Sequence, residues 1–126
     1  LDILERENLT QNAAQTGAYL LEQLHAAFDS HPLVGEVRGV GMLAALEFMA
    51  DKDARRPFDP ALKVGPRVSA AALQRGLIAR AMPHGDILGF APPLVTSRDE
   101  VDEIVKLARA AVDEVASQVL TPAAAV

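Results

Sequence analysis

Cysteine and tryptophan are absent from the 126 residues, and aromatic residues make up only 4% of them. Without cysteine there is no thiol nucleophile, no thiolate metal site and no disulfide framework, which suits a reducing compartment; a cytoplasmic location is the expectation. Readers of single-stranded nucleic acid need stacking platforms and a cationic groove. Few aromatics and a formal net charge of -5 supply neither, so no nucleic-acid partner is expected. Long hydrophobic runs are also missing: none approaches the roughly 18 to 20 residues of a bilayer span, so no membrane association is expected.

What is present is the composition of one compact domain, with 50% hydrophobic and 23% charged residues. A chain of this length removes roughly two-thirds of its unfolded surface from water, enough for a core without covalent or metal staples. Leu1-Asp2-Ile3-Leu4-Glu5 reads as the middle of a helix with no capping residue ahead of it, and the expectation is a chain that begins inside a larger protein.

From Ile3 to Phe28 the residues Leu9, Ala13, Leu20, Leu24 and Phe28 recur at helical spacing, and Pro32 stops the helix. The period then changes. Val34 to Val40 and Met42 to Phe48 predict two strands joined at Gly39-Val40-Gly41, followed by an exposed charged loop over 51–57. Asp59-Pro60 opens a helix that Pro66 delays or kinks and that Gly76 ends. Leu77 to Met82 and Asp86 to Ala91 predict two further strands around Pro83-His84-Gly85. Ser97-Arg98-Asp99-Glu100 is a capping box ahead of a stripe from Val101 to Val119. The expected fold class is α+β: a small antiparallel sheet of about four strands covered by helices and preceded by a long helix. The corresponding domains are a linking helix over 1–30, an α+β unit over 31–120 and a disordered tail over 121–126.

Few residues suggest chemistry. His25, His31 and His84 each lack a second His, Asp or Glu at metal-binding spacing on the same element, so no metal ligand is assigned. Ser97 has a sufficient role as a cap, and no serine sits in a nucleophile elbow. Gly39-Val40-Gly41 lacks the third glycine of a nucleotide loop. Lys52, Lys63 and Lys106 lie in a charged loop, near a helix start and off the last apolar stripe, none of which is a desolvated site for a Schiff base.

Arg80 differs. Strand alternation puts it on one face with Ile78 and Met82, while Leu77, Ala79 and Ala81 face the other way. A guanidinium among apolar neighbours suits a carboxylate or a phosphate, and the bland alternative is an ion pair with Glu36, Glu47 or Asp86. Arg38 admits the same two readings; the structural one is favoured because Glu36 lies two residues away on its face.

Glu36-Val37-Arg38-Gly39-Val40-Gly41-Met42, Gly76-Leu77-Ile78-Ala79-Arg80, the run from Gly85 to Leu94 and the run from Thr96 to Ile104 occur in this order and spacing. Together they resemble the C-terminal, small domain of class III aminotransferases of the omega-transaminase type, over about residues 1–120. The resemblance implies a fold type I, pyridoxal 5'-phosphate-dependent parent. Such a parent moves an amino group between an amine or amino acid and a keto acid such as pyruvate, and works as a homodimer. It also implies that the catalytic lysine and most cofactor-binding groups lie upstream, so neither catalytic nor cofactor-binding residues are assigned in this chain, which is expected to be inactive alone. The resemblance makes Arg80 the expected counterpart of the family's substrate-carboxylate arginine and sets Met82, Pro83 and His84 near the substrate entrance. A free-standing α+β module that holds a small anion without catalysis is the alternative reading of the same features.

Overall fold

The computed structural model describes residues 9–82, 86–93 and 96–120. The expected tail over 121–126, the first eight residues and the Pro83-His84-Gly85 turn lie outside them.

The first helix, α1 (Leu9–Phe28), places Leu20, Leu24 and Phe28 at four-residue spacing, all fully buried. Its last carbonyls would otherwise lack partners. Arg109 donates to the Ala27 carbonyl at 2.6 Å, and just past the helix Lys52 donates to the carbonyls of Asp29 and His31 at 2.8 and 3.0 Å. Cations at a helix C-terminus also oppose its dipole. Lys52 is therefore occupied in closing the corner between the helix and the sheet.

The sheet follows. Strand β1 (Val34–Val40) pairs antiparallel with β2 (Leu43–Phe48), with Val40 opposite Leu43. The connection is thus Gly41-Met42, not the Gly39-Val40-Gly41 expected from sequence. Gly41 has φ of 58°, the positive value a tight hairpin of primed type requires at its first position. Strands β3 (Arg80–Ala81) and β4 (Ile87–Phe90) complete a four-stranded antiparallel sheet in the order β1-β2-β4-β3.

Between β2 and β3, Pro60–Leu62 form one 3₁₀ turn, capped where the Asp59 carboxylate accepts from Ala61 N at 2.9 Å. Helix α2 (Val64–Gln74) starts only after Lys63, which has φ of 51°. Pro66 falls at its third position, where a missing N–H costs nothing. The helix ends in a Schellman motif: Gly76, at φ of 87°, donates to the Leu73 carbonyl, and Leu77 donates to that of Ala72. This explains why the strand expected over Leu77 to Met82 is reduced to Arg80–Ala81. Leu77 is tied to the helix end, and the Ala79 carbonyl accepts from Ser69 Oγ at 2.6 Å. Only beyond Ala79 does the backbone turn to β4.

Helix α3 (Arg98–Val119) begins at the expected capping box, with Glu100 N bonded to Ser97 Oγ and Ser97 N to the Glu100 carboxylate. It buries Val101, Val105, Ala108, Ala111, Val112 and Val115 against α1 and α2. Helices α1 and α2 lie on one face of the sheet, where Leu46, Phe48, Leu88 and Phe90 point into the core, and α3 packs against both helices. No described helix covers the other face.

A candidate functional site on the open face of the sheet

Register and alternation fix what the open face carries. Each strand contributes every second residue. Through the pairings Arg80 with Gly89, Gly89 with Ala45 and Ala45 with Arg38, one row across the sheet reads Arg80, Gly89, Ala45, Arg38. Two arginines therefore stand at opposite edges of a floor of the smallest side chains. On one side of this row lie Met82, Ile87, Glu47 and Glu36; on the other lie the apolar Ile78, Leu43 and Val40. The row, with Met82 on one side and Ile78, Leu43 and Val40 on the other, bounds a groove of about 680 Å³. Ile78 and Val40 are 85% and 82% exposed, so the apolar wall faces outward with nothing from these residues over it.

The two arginines differ in what holds them. Arg38 Nη1 lies 3.2 Å from Glu47 and 3.4 Å from Glu36, the structural pairing expected of it. Asp86, the third acid considered for Arg80, is occupied elsewhere: its carboxylate accepts from Gly65 N at 3.0 Å, satisfying a free donor at the start of α2. Among the described residues Arg80 has no ion pair, and its side chain is exposed on the groove wall beside Ile78 and Met82. The ion pair with Glu36, Glu47 or Asp86 is thus not formed. The apolar neighbours are as expected, but they too are exposed, so the desolvation that would strengthen an anion contact is not provided by these residues alone.

Met82 lies on the groove face; Pro83 and His84 lie outside the described residues. His31 is buried, its Nδ1 accepting from Leu33 N at 3.1 Å and its Nε2 lying 2.8 Å from Asp113. His25 Nδ1 lies 2.8 Å from Asp29, four residues on and just past the end of α1. A pair does not make a metal site, and among the described residues no cluster of three or more His, Asp or Glu could hold an ion.

Pyridoxal phosphate would need a lysine to anchor it. Among the described residues no lysine lines the groove: Lys52 holds the α1 corner, Lys63 borders a second cavity beside Pro60 and Pro66, and Lys106 is exposed on α3. No described residue of this face could hold the cofactor covalently.

Sequence reasoning singled out Arg80 and Met82 but passed over Gly89, Ala45, Leu43 and Val40. The signal for them was the same alternation applied to the other three strands, but it becomes readable only once the strand order is known.

Residues 1–112 match the class III aminotransferase family. The chain belongs to the class III aminotransferases. It is 70% identical over 115 residues to the diaminobutyrate–2-oxoglutarate transaminase of Halomonas elongata, covering 91% of this chain and 24% of that protein. A solved transaminase from directed evolution by ancestral reconstruction superposes with a TM-score of 0.93 at 81% identity, over 94% of this chain and 26% of that one. The omega transaminase of Pseudomonas jessenii in complex with PMP superposes at 0.87 with 39% identity, over 94% and 26%. The chain thus spans about a quarter of the length of the aminotransferases it matches, and its long helix, four-stranded sheet and covering helices have the architecture found there.

Proposed function

We propose that these residues form the small, C-terminal part of a pyridoxal-phosphate-dependent transaminase of the omega type. The parent moves an amino group between an amine or amino acid and a keto acid. This part contributes recognition of the substrate carboxylate and not the catalytic lysine, which with the cofactor belongs to the parent's other residues. The division is 1–30 as linking helix and 31–120 as the small domain, and the parent acts as a cytoplasmic homodimer.

One observation carries the reading. Arg80 is held out on an open, partly apolar face without an acid partner among the described residues, while each nearby acid is engaged elsewhere. A planar guanidinium so placed forms paired, charge-assisted hydrogen bonds with a carboxylate once further polypeptide closes the face and excludes water. It orients the acid and does not touch the electrons that move, which are the cofactor's task. The Halomonas relative's name couples diaminobutyrate with 2-oxoglutarate, both of which carry carboxylates. Pyruvate offers the same group. Met82 borders the same space, and Pro83 and His84, outside the described residues, are assigned with it to the substrate entrance on the family resemblance.

The test is Arg80→Ala in the full-length protein. Activity on an amino acid should fall about 10- to 100-fold in kcat/KM, the worth of one charge-assisted contact, while a simple amine is much less affected. Equal losses for both substrates would remove Arg80 from this role.

A further inference from the structure

Gly89 stands directly opposite Arg80 in the β3–β4 pairing. Its backbone does not explain the glycine, because only Gly41 and Gly76 among the described glycines adopt positive φ. A glycine inside a strand is otherwise unfavourable, since it has no side chain to pack and more freedom to lose. What the position uses is space. A Cβ built on Gly89 would run into Met82 Cε, and it would lie 3.9 Å from Met82 Sδ and 3.7 Å from the Arg80 carbonyl oxygen. The end of the Met82 side chain therefore reaches onto β4 and rests on Gly89, which is buried although it belongs to the open face.

We infer that Gly89 is a positioning residue for the carboxylate site: it gives the end of the Met82 side chain a seat on β4 and so keeps that side chain low beside Arg80. This inference rests on the reading of Arg80 given above. Met82 and Arg80 are neighbours on one face of β3, two residues apart, so what displaces one alters the surroundings of the other. A methyl group at position 89 would lift the end of Met82 off its seat and raise that side chain beside the guanidinium. The atom it meets is the far end of a flexible side chain, so the strand itself has no need to move.

The experiment uses the full-length protein carrying Gly89→Ala, Met82→Ala, the double change, and Arg80→Ala as control. For each, kcat and KM are measured on an amino acid and on a simple amine, with the melting temperature alongside. Gly89→Ala should lower kcat/KM for the amino acid about tenfold, mainly through KM, with little change for the amine and no loss of melting temperature. In the double variant, where no thioether needs the seat, the amino-acid value should return to within about twofold of that for Met82→Ala alone. An unchanged acid-to-amine ratio in Gly89→Ala, with Arg80→Ala still abolishing that ratio, would overturn the inference and leave the role of Arg80 standing. Failure of the double variant to recover, or a lowered melting temperature in Gly89→Ala, would overturn it as well. If Arg80→Ala itself leaves the ratio unchanged, the reading of Arg80 falls, and this inference with it.

Discussion

Gly17, in the middle of α1, lies against the carbonyl of Gly41 in the β1–β2 turn, so closely that a Cβ on Gly17 would overlap that oxygen. The long helix and the hairpin therefore touch through backbone, without a side chain between them. Gly17→Ala forces the helix and the turn apart, because the obstructing atoms are main chain and cannot rotate away. Overpacking of this kind costs about 1–3 kcal/mol. Thermal unfolding of the variant should show a melting temperature lower by several degrees, and a value equal to the wild type would mean that the contact is not so tight in solution.

Gly17 was not legible in the sequence, because nothing in a helical stripe says which small residue meets another element. The helix itself was: Leu20, Leu24 and Phe28 repeat at a helical period and are buried as that period demands. Arg80 was legible for a similar local reason, since alternation with Leu77 and Ala79 fixes its face whatever the sheet order. The extent of β3 was not. Its shortening depends on Ser69 and Ala72, residues in α2 that bond the segment before it reaches β4. The openness of the groove depends on Gly89 and Ala45 being adjacent across a strand order, β1-β2-β4-β3, that no single segment encodes.

The capping box at the start of α3 gives a second prediction. Ser97→Ala removes the acceptor for Glu100 N and should cost about 1 kcal/mol, seen as a lower denaturant midpoint. The Ser97 backbone N–H, and then its side chain, hold the Glu100 carboxyl below the usual carboxylate range. A depressed folded-state value means that this contribution is present above the unfolded carboxylate pKa and is lost as pH falls through the folded one. Glu100→Gln should therefore narrow its stability gap to the wild type on acidification.

Asp113 joins α3 to the α1 corner. It accepts from Arg109 at 3.0 Å and, because His31 Nδ1 is already an acceptor, from His31 Nε2–H at 2.8 Å. Partial burial pushes its carboxyl up, but the His31 and Arg109 hydrogen bonds, with the charge of Arg109, hold it below the usual range on balance. Asp113 is half exposed, so water screens its ion pair with Arg109, and the larger cost of losing it falls on the buried His31, left without an acceptor. Asp113→Ala should lower stability at neutral pH by about 1–2 kcal/mol. The sign again follows from depression: the difference from wild type persists above about pH 5 and shrinks as pH falls below the ordinary aspartate pKa of about 4. Urea unfolding at pH 7 and pH 3 checks it, and a gap that widens in acid would contradict the arrangement.

Arg38 and Arg80 close opposite ends of one row, and their different surroundings predict different losses. Arg38 is shared by Glu36 and Glu47 at 3.4 and 3.2 Å, an exposed network worth about 0–1 kcal/mol to the fold, and its donors are turned toward those acids. Arg80 has no such ties among the described residues, so truncating it should hardly change the melting temperature. In the full-length protein, Arg38→Ala should therefore lower the melting temperature slightly and shift KM for a carboxylate substrate by less than about threefold, whereas Arg80→Ala should do the reverse. Arg80→Lys adds a sharper contrast. A lysine keeps the charge but loses the planar fork, so it should recover only part of the acid preference if paired hydrogen bonds orient the substrate, and nearly all of it if charge alone attracts it. Measuring the ratio of kcat/KM for an amino acid to that for a simple amine in the three variants separates these outcomes. A loss of that ratio in Arg38→Ala comparable to the loss in Arg80→Ala would mean that the two ends of the row act together, and that the pairing with Glu36 and Glu47 does not withdraw Arg38 from the groove.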